Sequence, residues 1–384
     1  MTIHLVKPMR WLLLGWALCG TAFAGDWTLS RFEGRDYVPL GEIAKFYGLP
    51  APPPVAHDLV VALPTPTPAP ALNPTAAAAA ESETAGNSIE PTGGPVVKLE
   101  NGKMGLTVTL NSREAEINGV KQWLAFPTRV QDGQVLISRL DLSKVIEPRL
   151  RPEKVQGLKP VTTVVLDPGH GGHDKGAPCR YGYEKDFALD VALAARKLLE
   201  QQGIKVVMTR SADIFVPLHE RAAVANGIKD SIFVSIHFNS ATSNPGARGF
   251  EIYSLAPRGA PATNDGVFNI RNLREEPGNV VDTQSTALAG TVFHALLGNV
   301  PLPDRGVKHA RFAVLRLCTQ PAILVECGFV SNTAESALIG SGAWRSQVAE
   351  AIVTGVEGFK ELAEQGHKPR LVVDYRHGAA TVPQ

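Results

Sequence analysis

The chain has 384 residues, 38 of them basic and 37 acidic, for a net charge of +1. That length allows one substantial core and a smaller unit beside it. The even charge balance, with no basic run, gives no electrostatic case for nucleic acid or another anionic polymer as partner.

Lys7 and Arg10 precede an apolar run over residues 11–20, and Ala22-Phe23-Ala24 closes it. About ten apolar residues are too few to cross a bilayer as a helix. A basic start, a short apolar middle and a small-residue ending read as a secretory signal over residues 1–24. Cys19 raises a lipid anchor, against which stands the bulk of Leu18. No later stretch is apolar enough to span a membrane, so the mature protein is expected outside the cytoplasm: periplasmic, with full secretion as the alternative. Cys19 leaves with the signal, and Cys179, Cys318 and Cys327 remain. An odd number gives no complete disulfide framework. Cys318 and Cys327 read as small buried fillers, and Cys179 lies between two candidate site residues.

Residues 51–96 are rich in Pro, Ala, Thr and Ser and cannot bury enough apolar surface to offset their ordering entropy, so they read as a disordered spacer. On either side, residues 25–50 and 97–150 make one small α+β accessory domain. GRDYVPLGEIAKFYG and GQVLISRLDLSKVIE share a glycine, a short strand and a small helix, a weak internal repeat. This region resembles the small domain at the N-terminus of copper amine oxidases and on many bacterial envelope proteins. The resemblance implies at most a wall-docking or plain structural role.

From Val161 the texture changes. Short Val- and Ile-rich runs at 161–167, 205–210, 231–238, 249–255 and 321–326 read as strands. Helices are expected over 184–203, with Phe187, Val191, Ala194 and Leu198 on one face and Gly203 as the stop, over 217–226 and over 343–366. Such alternation argues for an α/β fold, a mostly parallel sheet with helices on both faces, spanning residues 161–365. Residues 366–384 lack periodicity and read as a tail.

Sites in open parallel sheets form where the strands end. His170 follows the first strand in LDPGHGG, His237 closes SIFVSIHF, Glu326 closes PAILVE, and Glu184 opens the helix after the first strand. Each has an ordinary reading: a turn, a core histidine, a carboxylate favoured by the helix dipole. Glu326 resists it most, since a buried carboxylate is costly without a partner. Together they offer two imidazoles and carboxylate, a donor set suited to catalytic Zn²⁺ with one position open for water, and less suited to Mg²⁺ or Ca²⁺.

The stretches LDPGHGGHDKGA, YEKDFALDVA, VVMTRSAD, LHERAAVAN, SIFVSIHFNS and PAILVECGFVSN occur in that order. In them the chain, from about Val161 to Leu362, resembles the zinc-dependent N-acetylmuramoyl-L-alanine amidases, which cut the sugar–peptide link of the cell wall. The resemblance implies zinc on His170, Glu184 and His237, Glu326 as the catalytic carboxylate, and peptidoglycan as substrate. His173, Asn239 and Arg248 lie near the motifs as candidates for orienting substrate or ligands. Some relatives carry a helical insert that plugs the zinc. The corresponding residues 256–283 are rich in Gly, Pro and Asn, so a flexible loop bordering an open cleft is expected here. Two other readings compete: a zinc peptidase cutting within the stem peptide, and a non-catalytic wall-binding protein, for which a water-activating glutamate would have no use.

Overall fold

The structure is a computed structural model that describes residues 27–55, 94–265 and 270–365. The expected signal, most of the spacer and the tail lie outside the described residues. The first residues of the expected spacer do not behave as one: Val55 is buried, and its N–H donates to Gly133 O at 3.1 Å.

The small unit is built from both sides of the spacer. Strands β1 (Ser30–Phe32) and β2 (Arg35–Pro39) lead into helix α1 (Leu40–Tyr47), whose Leu40, Ile43 and Ala44 are buried. Then come β3 (Val96–Glu100), β4 (Gly105–Thr109), β5 (Glu114–Ile117), β6 (Val120–Trp123), β7 (Arg129–Gln131) and β8 (Gln134–Ser138), followed by a helical run over residues 139–150. The two halves of the weak repeat meet: β2 pairs antiparallel with β8, Tyr37 opposite Ser138.

The larger unit continues with β9 (Thr163–Pro168), the hairpin β10 (Pro178–Cys179) and β11 (Gly182–Tyr183), and α2 (Glu184–Gln201). Next are β12 (Lys205–Met208), α3 (Leu218–Asn226), β13 (Ser231–Asn239) and β14 (Phe250–Leu255). The remaining described elements are α4 (Asp282–Asn299), β15 (Asp304–Ala310), α5 (Ala313–Leu317), β16 (Ala322–Phe329), α6 (Thr333–Ile339) and α7 (Gly342–Gln365). In α2 the buried stripe is Phe187, Val191, Ala195 and Leu199, while the expected Ala194 and Leu198 are only partly buried beside it, so the face that lies on the sheet is turned by one residue from the expected one in its second half. Together α2, α4 and α7 cover one face with a large apolar cluster, and α3 and α5 cover the lower part of the other.

One ten-stranded sheet runs through both units in the order β12-β9-β13-β16-β14-β15-β6-β5-β4-β3. The expected parallel arrangement holds from β12 to β16, but β14 is antiparallel to β16, Glu251 opposite Glu326. The sheet is therefore mixed. Hydrophobic runs mark strands without their direction, which the connections decide. Beyond β15 the small unit adds its own meander through the β15–β6 pair, with Val307 opposite Gln122. Across this seam Gln122 Nε2 donates to Val307 O at 3.2 Å, and the Arg113 guanidinium donates to Thr263 O at 3.0 Å.

The reversed strand sets where residues 256–283 leave the sheet. Because β14 runs against β16, the chain leaves Leu255 at the end where β16 begins, away from Glu326. The segment's described residues form 3₁₀ turns at Thr263–Asp265 and Pro277–Val281, and Asn279 Nδ2 donates to Ala256 O at 3.1 Å. Helix α4 was not legible either, because residues 285–296 are buried all round and leave no polar face to set a period.

Candidate metal centre

The turn after β9 is held from beneath by two buried arginines. Arg210 donates to Pro168 O at 2.9 Å and to Gly169 O at 2.6 Å, and Arg221 to Pro168 O and His170 O, both at 2.7 Å. Arg221 also pairs with the fully buried Asp167 at 2.9 Å. Three turn carbonyls and one carboxylate thus have fixed donors before any ligand is considered, and the backbone at His170 can adopt φ 57°, a conformation costly for a non-glycine residue. Gly169 has a steric reason: a Cβ there would lie 2.2 Å from Cε1 of His237. The histidine-bearing turn needs glycine because a second imidazole fills the space beside it.

His170, Glu184 and His237 come together, with one ligand atom from each within 4.8 Å of the others. Glu184 Oε1 lies 3.2 Å from His170 Nε2 and 3.0 Å from His237 Nδ1, and it accepts from Phe238 N at 3.1 Å. Its other oxygen accepts from Ala177 N at 2.9 Å. Burial alone would raise the Glu184 carboxyl, but the two imidazoles outweigh it and hold the group well below the usual carboxylate range. Burial likewise weighs against charge on His170, yet Glu184, with Asp174, leaves this imidazole raised.

The donors fit zinc. Two ligands about 2.0–2.1 Å from Zn²⁺ at tetrahedral angles stand about 3.3 Å apart, close to both carboxylate–imidazole distances. Gly176, at φ 63°, keeps the floor open: a Cβ there would lie 2.7 Å from both Glu184 Oε2 and His170 Cδ2.

Sequence reasoning missed Asp174. Its Oδ2 lies 2.8 Å from His170 Nδ1, which turns Nε2 toward Glu184. A carboxylate behind a ligand histidine fixes its tautomer and raises its basicity. The signal was present as an aspartate four residues after His170, but only the left-handed turn reveals that the two side chains meet.

Glu326 is buried and lies in register beside His237 on one side and Glu251 on the other. Glu251 is itself buried and accepts from Asn239 Nδ2 and Tyr253 OH, each at 2.7 Å, and from Arg305 Nε at 2.9 Å, with Lys308 completing the set. Burial would raise Glu251, but Lys308 and Arg305 hold it down. Of the remaining candidates, Asn239 serves this cluster, His173 is exposed and stacks on Phe215, and Arg248 is exposed. Cys179 packs against the main core and is not one of the three clustered ligand candidates, while Cys318 and Cys327 are buried, the Cys318 thiol pushed up to about 12 by burial.

Against known proteins, the sequence profile of the N-acetylmuramoyl-L-alanine amidase family matches residues 164–358. The chain is 36% identical over 224 residues to N-acetylmuramoyl-L-alanine amidase AmiC of Neisseria meningitidis, covering 53% of each chain. It is 32% identical to AmiC of Escherichia coli, covering 64% of this chain and 67% of that one. With AmiA of Escherichia coli K12 it shares 34% identity over 58% of this chain and 84% of the relative. It spans about half the length of the Neisseria relative and more of the other two. The profile takes in half of the chain, and most of AmiA is matched at more than 30% identity, so the chain belongs to the N-acetylmuramoyl-L-alanine amidase family.

Proposed function

We propose that this protein hydrolyses the amide bond between the lactyl group of N-acetylmuramic acid and L-alanine of the peptidoglycan stem peptide, using zinc held by His170, Glu184 and His237, with Glu326 as general acid–base. The observation that carries the reading is the convergence of two imidazoles and a carboxylate within 4.8 Å, with a buried glutamate in register beside one of them. Its family membership supports the substrate class.

A bound Zn²⁺ with one open position supplies Lewis acidity toward the scissile carbonyl and lowers the pKa of a water toward neutrality. The chain's own residues do the rest. Glu326 takes a proton from the attacking water, whose oxygen bonds to the lactyl carbonyl carbon. The C–N bond then breaks, and Glu326 returns the proton to the departing nitrogen, giving a lactyl carboxylate and a free L-alanine amine. Asp174 keeps the His170 ring in one tautomer throughout. Arg210 and Arg221 hold the turn rigid, so the ligands do not have to be ordered at each turnover.

Export to the periplasm belongs to this proposal, supported by the wall substrate and by the basic-then-apolar start of the sequence. Among the described residues no helix is long and apolar enough to cross a membrane. A wall-docking role for residues 25–50 and 97–150, or a plain structural one, belongs to it too; the described part of this region shares a sheet with the larger unit, which supports the structural role.

The test is digestion of purified peptidoglycan by the zinc-loaded chain, with the products read by mass spectrometry. Glycans with free lactyl carboxylates and intact stem peptides are expected. Shortened stem peptides on uncut glycan would overturn the reading in favour of a zinc peptidase, and an unchanged wall would favour a binding protein.

A further inference from the structure

Beside His170 two large apolar side chains stand in water: Ile214 is 53% exposed and Phe215 44%. Looseness does not put them there. Asp213 accepts from Gly172 N at 2.7 Å and from the Lys185 ammonium at 2.6 Å. The loop is thus tied both to the turn that carries His170 and to the helix that carries Glu184. The Phe215 ring meets the exposed His173 imidazole at a centroid distance of 4.2 Å and an angle of 38°. A pinned apolar patch that stays in water contributes nothing to the core, and such patches mark binding surfaces.

The far side of the centre has a different character. In the strand order the Ile214–Phe215 loop follows β12 at one edge, while Arg248 precedes β14 and Arg305 lies on β15, beyond β13 and β16. Arg248 is exposed and its carbonyl accepts from Arg305. The bond proposed for cleavage joins two unlike halves, a neutral sugar chain and a peptide bearing carboxylates. Sugar C–H faces pack on aromatic rings, whereas carboxylates seek guanidinium groups.

We infer that Phe215, with Ile214 and His173, forms a glycan-binding subsite that stacks a sugar ring of the glycan strand on the β12 side of the centre, so that the stem peptide extends toward Arg248 and Arg305. The inference rests on the amidase reading for the orientation of the substrate, but the sugar contact is measurable without turnover. Phe215 is exposed and bonded to no ligand residue, so its replacement leaves the fold and the zinc set intact.

The test is calorimetric titration of the zinc-loaded full chain with chitotetraose, a neutral oligosaccharide that carries neither lactyl group nor peptide. Phe215→Ala is expected to weaken binding about tenfold, within the range of one aromatic stacking contact and its burial, and Phe215→Trp to restore it. On peptidoglycan, Phe215→Ala is expected to raise KM while kcat holds, the mark of lost uniform binding. Wild-type protein that does not bind chitotetraose, or Phe215→Ala that binds it as wild type does, overturns the subsite. Failure of the amidase reading would show separately, as an unchanged muropeptide mass profile with chitotetraose binding and its loss in Phe215→Ala still intact.

Discussion

His237 and Glu326 are paired across adjacent parallel strands, so a metal-ligand candidate and the proposed base share one face of the sheet at one register position. The spacing is set by backbone hydrogen bonds and not by loop conformation, which makes it rigid before substrate arrives. Glu326→Gln should therefore keep one zinc per chain by metal analysis while turnover falls by about 10²–10⁴-fold. Activity near wild type in that variant would remove Glu326 from its role.

Asp174 touches no other ligand candidate than His170. Asp174→Asn should weaken zinc affinity by about 10–100-fold, as loss of a carboxylate behind a ligand histidine generally does. Competition with a calibrated chelator measures it, and added zinc should recover most of the activity. An unchanged affinity would mean that the 2.8 Å contact contributes nothing to the imidazole.

At Gly169 the prediction is steric. Gly169→Ala places a methyl group 2.2 Å from the His237 ring, so the ring or the turn must move. We expect loss of zinc binding with far-UV circular dichroism intact, because the displaced groups belong to the site and not to the apolar cores. Zinc binding equal to wild type would show that the turn relaxes at no cost to the ligands.

Arg221→Met tests the support beneath the site. It leaves Asp167, fully buried, without its guanidinium partner, and breaking a buried pair from one side costs about 3–5 kcal/mol. Denaturant titration should show that loss, and the double variant with Asp167→Asn should recover part of it. Equal stability of Arg221→Met and wild type would deny the arginine a structural role.

The pH dependence of stability has a definite sign. Burial holds His294 and His309 down at about 3, against 6.5 when unfolded. Below 6.5 the unfolded chain takes up protons that the native one refuses, so stability falls as pH falls. Asp141 opposes this: burial lifts it to about 6, so its contribution is full below the unfolded value of 3.8 and is lost as pH rises toward 6. Two histidines outweigh one carboxyl, and Tm should drop between pH 6.5 and 4.5. His294→Leu should flatten that drop, removing about 2–3 kcal/mol of acid sensitivity at pH 4.5. A slope unchanged in the variant would show that His294 is protonated in the native state.

The sequence by itself determined five strands of the larger unit, three of its helices, the three polar residues at strand ends and Glu184 at the head of α2, but neither β15 nor α4. Each depends on a local pattern: Val- and Ile-rich runs that must be buried, apolar residues four apart in α2, and polar side chains where an apolar run stops. The α4 helix escaped because it is buried all round and offers no contrast between faces. Tertiary structure decided what depends on direction and on contact between distant segments. The reversal of β14 brings the chain out of Leu255 at the end where β16 begins, and a single strand pair joins the small unit to the larger sheet. Gly169 makes room for a ring 68 residues further along the chain, and Asp174 reaches His170 only through a left-handed turn. Hydrophobic periodicity reports which side of an element faces the core. It carries no information about which way a strand runs or which side chain from elsewhere fills the space beside a glycine.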